Sequence, residues 1–286
     1  MSAGSGESVP RMSRPFFLQE EVVVSTVKGA LEMVARTDSG RVRDHNEDAV
    51  FINPDRGLAI LADGMGGYNA GEVASGLATT FLSSALETSF FDPPAKEPAP
   101  QNAAQCLEQS IASANTAIYN ASLDESAYAG MGTTLVTGLF HDNRLTVAHI
   151  GDSRLYRLRD EKLTPITRDH SLLQEQIDQG MISAKDARFS QNKNLVTRAL
   201  GVEPTVESEI HEYEVLPGDV YLLCSDGLND MLPDEEIELA LQSLTANLEL
   251  AADHLIQAAN DNGGRDNVSV ILVKVLRVFP EHPGDA

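Results

Sequence analysis

Apolar residues along this chain of 286 residues fall into short runs, and several of those runs stop abruptly on an acidic residue. Short apolar or alternating segments bounded by turn-forming residues predict strands over 33–37, 49–53, 58–62, 133–140, 144–150, 154–158, 206–215, 220–225 and 267–275. Apolar positions at helical spacing predict helices over 70–86, 103–122, 233–243 and 248–262, with a shorter one over 170–179. Between the first two helices, FDPPAKEPAPQN is too rich in proline for a helix and reads as a surface connection. The turns HDN and GDS separate three of the strands, so those three are expected to run as an antiparallel meander. Residues 168–202 form a mixed polar segment with no clear strand.

Strand blocks, then a helix pair, then strands and helices again imply an α+β class, with antiparallel sheets covered by helices. No long linker divides the core elements, so 31–278 is expected to be a single domain. Residues 1–30 begin rich in Gly and Ser and read as a flexible extension, with Val22-Val23-Val24 as the part that could dock. Residues 279–286 read as a C-terminal tail, and no internal repeat is present.

Composition narrows the function classes. The chain carries 43 Asp and Glu against 21 Lys and Arg, for a net charge of −22, which argues against nucleic acid as a partner. Its two cysteines, Cys106 and Cys224, lie far apart in no metal-like spacing, which favours a reducing compartment. No apolar stretch resembles a signal peptide or a membrane span, and a soluble cytoplasmic protein is expected. The acidity matters further only if some of the carboxylates converge.

The apolar run Leu58–Ala62 ends on Asp63-Gly64. Taken alone, Asp-Gly is a common turn. A dinucleotide loop fits poorly, because the spacing from Gly64 and Gly66 requires glycine where Asn69 stands and no parallel βαβ unit follows. The same pattern then recurs. Val220–Ser225 ends on Asp226-Gly227, and Ala148–Gly151 ends on Asp152. Gly263-Gly264-Arg265 leads into Asp266-Asn267, and Arg43-Asp44-His45-Asn46-Glu47-Asp48 opens the second strand.

Strand ends of one sheet can converge, and converging carboxylates repel unless cations compensate them. Oxygen-only ligands suit Mg²⁺ or Mn²⁺, whereas Zn²⁺ would want His or Cys. The Gly64 carbonyl could approach a metal because no Cβ intervenes. Asp63 is therefore a candidate ligand able to bridge two ions.

Arg43-x-x-Asn46-Glu47-Asp48, Ala62-Asp63-Gly64-Met65-Gly66-Gly67, Gly130-Met131-Gly132-Thr133-Thr134, Ile150-Gly151-Asp152-Ser153-Arg154, Ser225-Asp226-Gly227-Leu228-x-Asp230 and Gly263-Gly264-x-Asp266-Asn267 occur in that order. Together they resemble the bacterial branch of the metal-dependent serine/threonine protein phosphatases, the PPM or type-2C family, from about Val34 to Val275. The resemblance implies a four-layer α-β-β-α sandwich of two mostly antiparallel sheets flanked by helix pairs, with a flap at about 168–202 beside the active site. It implies two Mn²⁺ or Mg²⁺ ions and a third, weaker one. Asp63 would bridge the pair, Gly64 would give its carbonyl, and Asp226 and Asp266 would complete it. Asp152, with Asp226, matches the third position. Glu47 and Asp48 would hold water on the ions, and Arg43 would grip the substrate phosphate.

The implied activity is hydrolysis of phosphoserine and phosphothreonine on proteins by direct attack of activated water. A cognate Hanks-type Ser/Thr kinase would be opposed, and the enzyme would be a monomer. A regulatory or phosphopeptide-binding module that keeps the fold without turnover is the competing reading. Among the remaining residues, Arg41 reads as a bystander, and Thr133 and Thr134 as supports for the strand under the site. His149 and His170 read as structural or surface histidines, with His45 unassigned. Asp230 reads as either a helix cap or a third-metal ligand. Met65 stands where several eukaryotic members carry a histidine, so no side-chain proton donor is identified. Phe189-Ser190 departs from the His-Pro of many bacterial relatives, within the flap.

Overall fold

The computed structural model describes residues 27–67, 70–92, 102–183 and 195–279. Two antiparallel sheets stack face to face. The first is ordered β1-β11-β10-β7-β8, with β1 Leu31–Asp38, β7 Arg154–Arg159, β8 Lys162–Pro165, β10 Val220–Cys224 and β11 Val268–Val275. The second is ordered β2-β3-β5-β6-β9, with β2 Asp48–Asn53, β3 Leu58–Met65, β5 Leu135–His141, β6 Arg144–Ile150 and β9 Glu209–Glu214. The two-residue β4, Gly132–Thr133, pairs with the end of β3.

Period-2 geometry explains the continuous apolar runs. In β3, Ala59 and Leu61 point into the layer between the sheets, while Leu58, Ile60 and Ala62 face the helices α1 (Ala70–Leu86) and α2 (Ala103–Asp124). In β10, Tyr221 and Leu223 face the other sheet. On its opposite side, Val220, Leu222 and Cys224 meet helices Asp234–Leu244 and Leu248–Asp261. The order of layers is thus helix, sheet, sheet, helix, as the family resemblance implied. Fully burying each Leu or Ile of these runs stabilises the fold by about 1.5–3 kcal/mol. Two short helices, α3 (Leu172–Asp178) and α4 (Asp226–Asn229), lie at the site end, so the two outer helices are α5 and α6.

Several expectations change. The meander is incorrect, because β6 pairs with β5 and β9 while β7 pairs with β10 and β8 in the other sheet. Residues 151–153 are therefore a crossover between layers. Only Gly151 there has positive φ, whereas a two-residue hairpin of the favoured type needs it at both central positions. Asp142-Asn143 meets that requirement, with φ of 45° and 57°, and closes the β5–β6 hairpin. So does Asp160-Glu161, at 51° and 61°, which creates the unanticipated strand β8. Strand β9 is shorter than predicted, and a π-helical turn at Glu87–Phe91 extends α1 to the edge of the proline-rich connection.

At the chain ends, Val27 and Ala30 are buried although they fall within the span expected to be a flexible extension. Phe279, placed in the tail by sequence, is buried between the sheets, and its N–H donates to Asn143 Oδ1 at 2.6 Å. Val22-Val23-Val24 and Phe189-Ser190 lie outside the described residues. Cys106 and Cys224 form no disulfide and are buried in separate clusters on opposite sides of the sandwich. Among the described residues, no helix is long and apolar enough to cross a membrane.

Candidate metal centre

Strand pairing delivers the first two carboxylates. Asp48 and Asp63 are register partners on β2 and β3, at the end of the sheet where both strands meet the helices' loops. The backbone of Asp63 is held by its neighbour β4 and the residue after it. Its N–H donates to Thr134 Oγ1 at 3.1 Å, and its carbonyl accepts from Thr133 Oγ1 and Thr134 N–H, both at 2.9 Å. The threonines thus support the strand, as expected of them.

The other sheet contributes Asp226 and Asp266. Asp226 opens α4 directly after β10, and Asp266 stands just ahead of β11, with the Asn267 N–H on its Oδ1 at 2.8 Å. Two close backbone approaches lock the segments of the site together, α4 against the start of β11 and the end of β3 against α1. A Cβ on Gly227 would meet the Asn267 carbonyl oxygen at 1.9 Å, and one on Gly64 would meet the Gly71 oxygen at 2.1 Å. Only glycine fits at either place. Asn267 also joins the sheets, because its Oδ1 accepts the Glu47 N–H at 2.8 Å while its Nδ2 donates to the Ser39 and His45 carbonyls. Ser75 of α1 caps the arrangement by donating to the Glu47 carbonyl at 2.6 Å.

Electrostatics mark the cluster as incomplete by itself. Burial, and then the charges of Asp48, Asp226, Asp152 and Asp266, push Asp63 well above the ordinary carboxylate range. Asp226 is raised likewise by burial and by Asp152, Asp266 and Asp230. Burial lifts Asp48 to about 6 despite hydrogen bonds from Ser269 and Ser225, and lifts Asp152 to about 6 with help from Asp169. Two like charges about 4 Å apart repel by about 4 kcal/mol at an effective dielectric of about 20, more than any one hydrogen bond here returns.

The donor set fits hard divalent cations. It consists of carboxylates and carbonyls without a nitrogen or sulfur ligand, and among the described residues Asp48 Oδ1 and Glu47 Oε1 are buried without a hydrogen-bond donor. The other Asp48 oxygen, Oδ2, accepts from Ser225 Oγ at 2.8 Å and Ser269 Oγ at 2.6 Å. His45 Nε2 lies 3.3 Å from Glu47 Oε1 but is exposed at the surface. Asp63, the Gly64 carbonyl, Asp226 and Asp266 could hold two ions, and Asp152 with Asp226 a further one.

Arg43 reaches the same place, its Nη2 donating to Asp266 Oδ2 at 2.7 Å with half of its side chain exposed. A cavity of about 570 Å³ adjoins the cluster, lined by Asp152, Asp226, Asp230 and residues of α3, among others. On its wall the half-buried Arg154 forms a two-pronged pair with Asp169, at 2.8 and 2.7 Å. Asp230 caps α4 through its N–H and also lines this cavity, so the structure is compatible with both of its expected roles. Met65 ends β3 opposite Gly132. Arg41 is exposed, and its N–H donates to the Gly264 carbonyl.

Sequence reasoning assigned no part to Ser225, Ser269, Asn267, Ser75 or Ser153, whose Oγ lies 2.7 Å from Thr134 Oγ1. A signal existed for one of them. Ser269 is a lone hydroxyl inside the apolar strand VSVILVKV, and a buried polar residue there needs a partner. His149 and His170 are buried and stacked on each other, which places them in the interior and not at the surface.

Residues 39–267 match the family described as protein phosphatase 2C. The serine/threonine phosphatase stp of Listeria monocytogenes serotype 4b is 42% identical over 242 residues, covering 84% of this chain and 94% of that protein. The crystal structure of the Mycobacterium tuberculosis serine/threonine phosphatase PstP/Ppp superposes with a TM-score of 0.78 at 40% identity, over 86% of this chain and 99% of that one. The catalytic domain of serine threonine protein phosphatase PstP in complex with 2 manganese ions gives a TM-score of 0.75 at 41% identity, over 86% and 98% of the two chains.

Proposed function

The chain belongs to the protein phosphatase 2C family, and on that premise we propose that it hydrolyses phosphoserine and phosphothreonine on proteins at the carboxylate cluster. Asp63, the Gly64 carbonyl, Asp226 and Asp266 would hold two Mn²⁺ or Mg²⁺ ions, and Asp152 with Asp226 would hold a third more weakly. The observation that carries this reading is the gathering of buried and half-buried carboxylates from both sheets, with oxygens of Asp48 and Glu47 left lacking any donor.

Two such ions, when bound, lower the pKa of water and stabilise the attacking and leaving oxygens of an in-line displacement. The protein's own residues do the rest. Arg43, at the rim of the cluster, takes phosphate oxygens in its planar fork and offsets developing charge. Glu47 and Asp48 orient water through the buried oxygens that have no donor of their own. Thr133 and Thr134 fix the backbone of Asp63, so the ligand needs no rearrangement during reaction.

Residues 31–278 form the catalytic unit, with the 168–202 segment, of which 184–194 lie outside the described residues, as its flap. The enzyme acts as a monomer in the cytoplasm and opposes a Ser/Thr protein kinase. Two buried cysteines outside any disulfide support the reducing compartment, and a phosphoprotein substrate requires a kinase to make it. Hydrolysis of a phosphothreonine peptide with Mn²⁺, abolished by chelation and restored by adding the ion back, is the expected result. Retained peptide binding without turnover in Mn²⁺ would instead establish a binding module.

A further inference from the structure

Outside the carboxylate cluster, a further set of ionisable groups surrounds two histidines. His149 of β6 and Glu209 of β9 are register partners and share one face of their sheet. His170, from the segment after β8, lays its ring on His149 with centroids 4.6 Å apart and planes 19° from parallel. The two are 1% and 8% exposed.

Each ring's protonation follows from its partners. His149 Nε2 lies 2.8 Å from the Arg168 carbonyl, so it carries the proton. His170 Nδ1 faces the Gly151 N–H at 3.2 Å and must accept, which leaves the proton on Nε2, pointing at Glu209 Oε2 at 3.4 Å. His149, His170 and Glu209 offer ligand atoms within 4.8 Å of one another, yet this arrangement opposes a metal. An ion on His170 Nε2 would move the proton to Nδ1, against the Gly151 N–H.

The contact with Gly151 is two-sided. Besides the ring acceptor, the His170 N–H donates to the Gly151 carbonyl at 2.8 Å. The His170 carbonyl in turn accepts the Thr197 N–H at 2.8 Å, from the returning limb of the same segment. Gly151 sits in the crossover between the sheets at φ +100°, where a Cβ would meet the Thr134 side chain at 2.7 Å. Glycine is the residue least able to hold its own conformation. Asp152 is the next residue.

We propose that His170 is a positioning residue. By gripping both polar groups of Gly151, it fixes the Asp152 carboxylate at the outer ion position and ties that position to the flap. Glu209 holds His170 in the required tautomer. This rests on the phosphatase reading and the ligand role given to Asp152 above.

The test separates positioning from packing in the full-length chain. His170→Asn keeps an oxygen acceptor near the place of Nδ1 but loses the stack, whereas His170→Phe keeps a ring and loses the acceptor. Half-maximal activation by Mn²⁺ on a phosphothreonine peptide, and the rise in Tm caused by Mn²⁺, are measured for both. His170→Phe is expected to need about tenfold more Mn²⁺ and to show a smaller rise in Tm, as loss of a support behind a ligand typically does. His170→Asn should remain within about threefold of wild type. In an Asp152→Asn background, His170→Phe should cost nothing further, since both changes remove the same interaction.

Packing alone would reverse the order of the two variants, and an undiminished effect in Asp152→Asn would show that His170 does not act through that residue; either result overturns the proposal. Should His170→Phe fail to fold, Glu209→Leu leaves both rings in place and frees the tautomer. A two- to fivefold higher Mn²⁺ requirement is expected there, and no change would overturn the proposal. If the wild-type chain fails to hydrolyse the peptide, the phosphatase reading falls, while the comparison of Tm still decides the role of His170.

Discussion

Asp48 and Asp63 face each other across β2 and β3, and the two oxygens of Asp48 are treated oppositely. Oδ2 is saturated by hydroxyls from Ser225 and Ser269 of the other sheet, while Oδ1 is buried with no donor. The carboxylate is thus aimed by its neighbours and left with one oxygen to use.

Replacing Asp63 or Asp226 by Asn removes a ligand charge while keeping the shape. Turnover of a phosphothreonine peptide should fall by at least about a hundredfold in either variant. Without metal, the same variants should melt a few degrees higher than wild type, because a buried repulsion has been relieved. Near-normal turnover in either would remove it from the site.

The metal-free protein should respond to pH in a characteristic direction. Folded-state values of about 6 for Asp48 and Asp152 lie above the unfolded 3.8, so protonation favours the fold. That contribution is complete below about pH 4 and is lost as pH rises through about 6, with Asp63 and Asp226 extending the loss higher. The buried His149 and His170, whose values are lowered, work in the opposite direction, stability from them being lost as pH falls below about 6.5. Comparing Tm across pH 5–8 in chelator and in Mn²⁺ isolates the carboxylates. The gain in Tm from Mn²⁺ should grow with pH; a constant gain would mean that the ion does not bind these groups.

Arg43→Ala should act on substrate binding. Its ion pair with Asp266 is half-exposed, so little stability is lost. A charged hydrogen bond to phosphate is worth about 1.5–3 kcal/mol, which predicts a KM about ten- to a hundredfold higher with a smaller change in kcat. A pure loss of kcat would place the guanidinium in the transition state alone.

Gly227→Ala should be costly although it adds one methyl. The new Cβ would meet backbone oxygen at 1.9 Å, and no side chain can turn aside to admit it. Destabilisation of about 3 kcal/mol is expected, at the upper end for overpacking, together with weaker Mn²⁺ binding because Asp226 and Asp266 are forced apart. Gly67→Ala, where nothing lies within 4 Å of the added atom, is the control. Equal melting temperatures for the two variants would contradict the packing described.

Much of this was legible along the chain, for local reasons. Strand β3 is apolar on both faces because it is covered on both; Asp63, Asp152 and Asp226 stand out because apolar runs stop at them, and Asp266 because one begins just after it. Strand β8 was not legible, since Leu163 is the single buried residue among its four. Nor was the sheet to which β7 belongs. Its register partner Leu222 for Tyr156 is distant in sequence, and a turn-like GDS gives no sign of changing layers. The supports of the site were hidden similarly: the serine hydroxyls that reach Asp48 come from 177 and 221 residues away.

The division of the acidic groups between two layers has a mechanical meaning. Asp48 and Asp63 belong to one sheet, Asp226 and Asp266 flank strands of the other, and a cation shared among them would work as a rivet across the mouth of the sandwich. Losing it would leave each layer intact and let the seam gape, so amide exchange should quicken along the facing edges near the mouth before it quickens within either sheet.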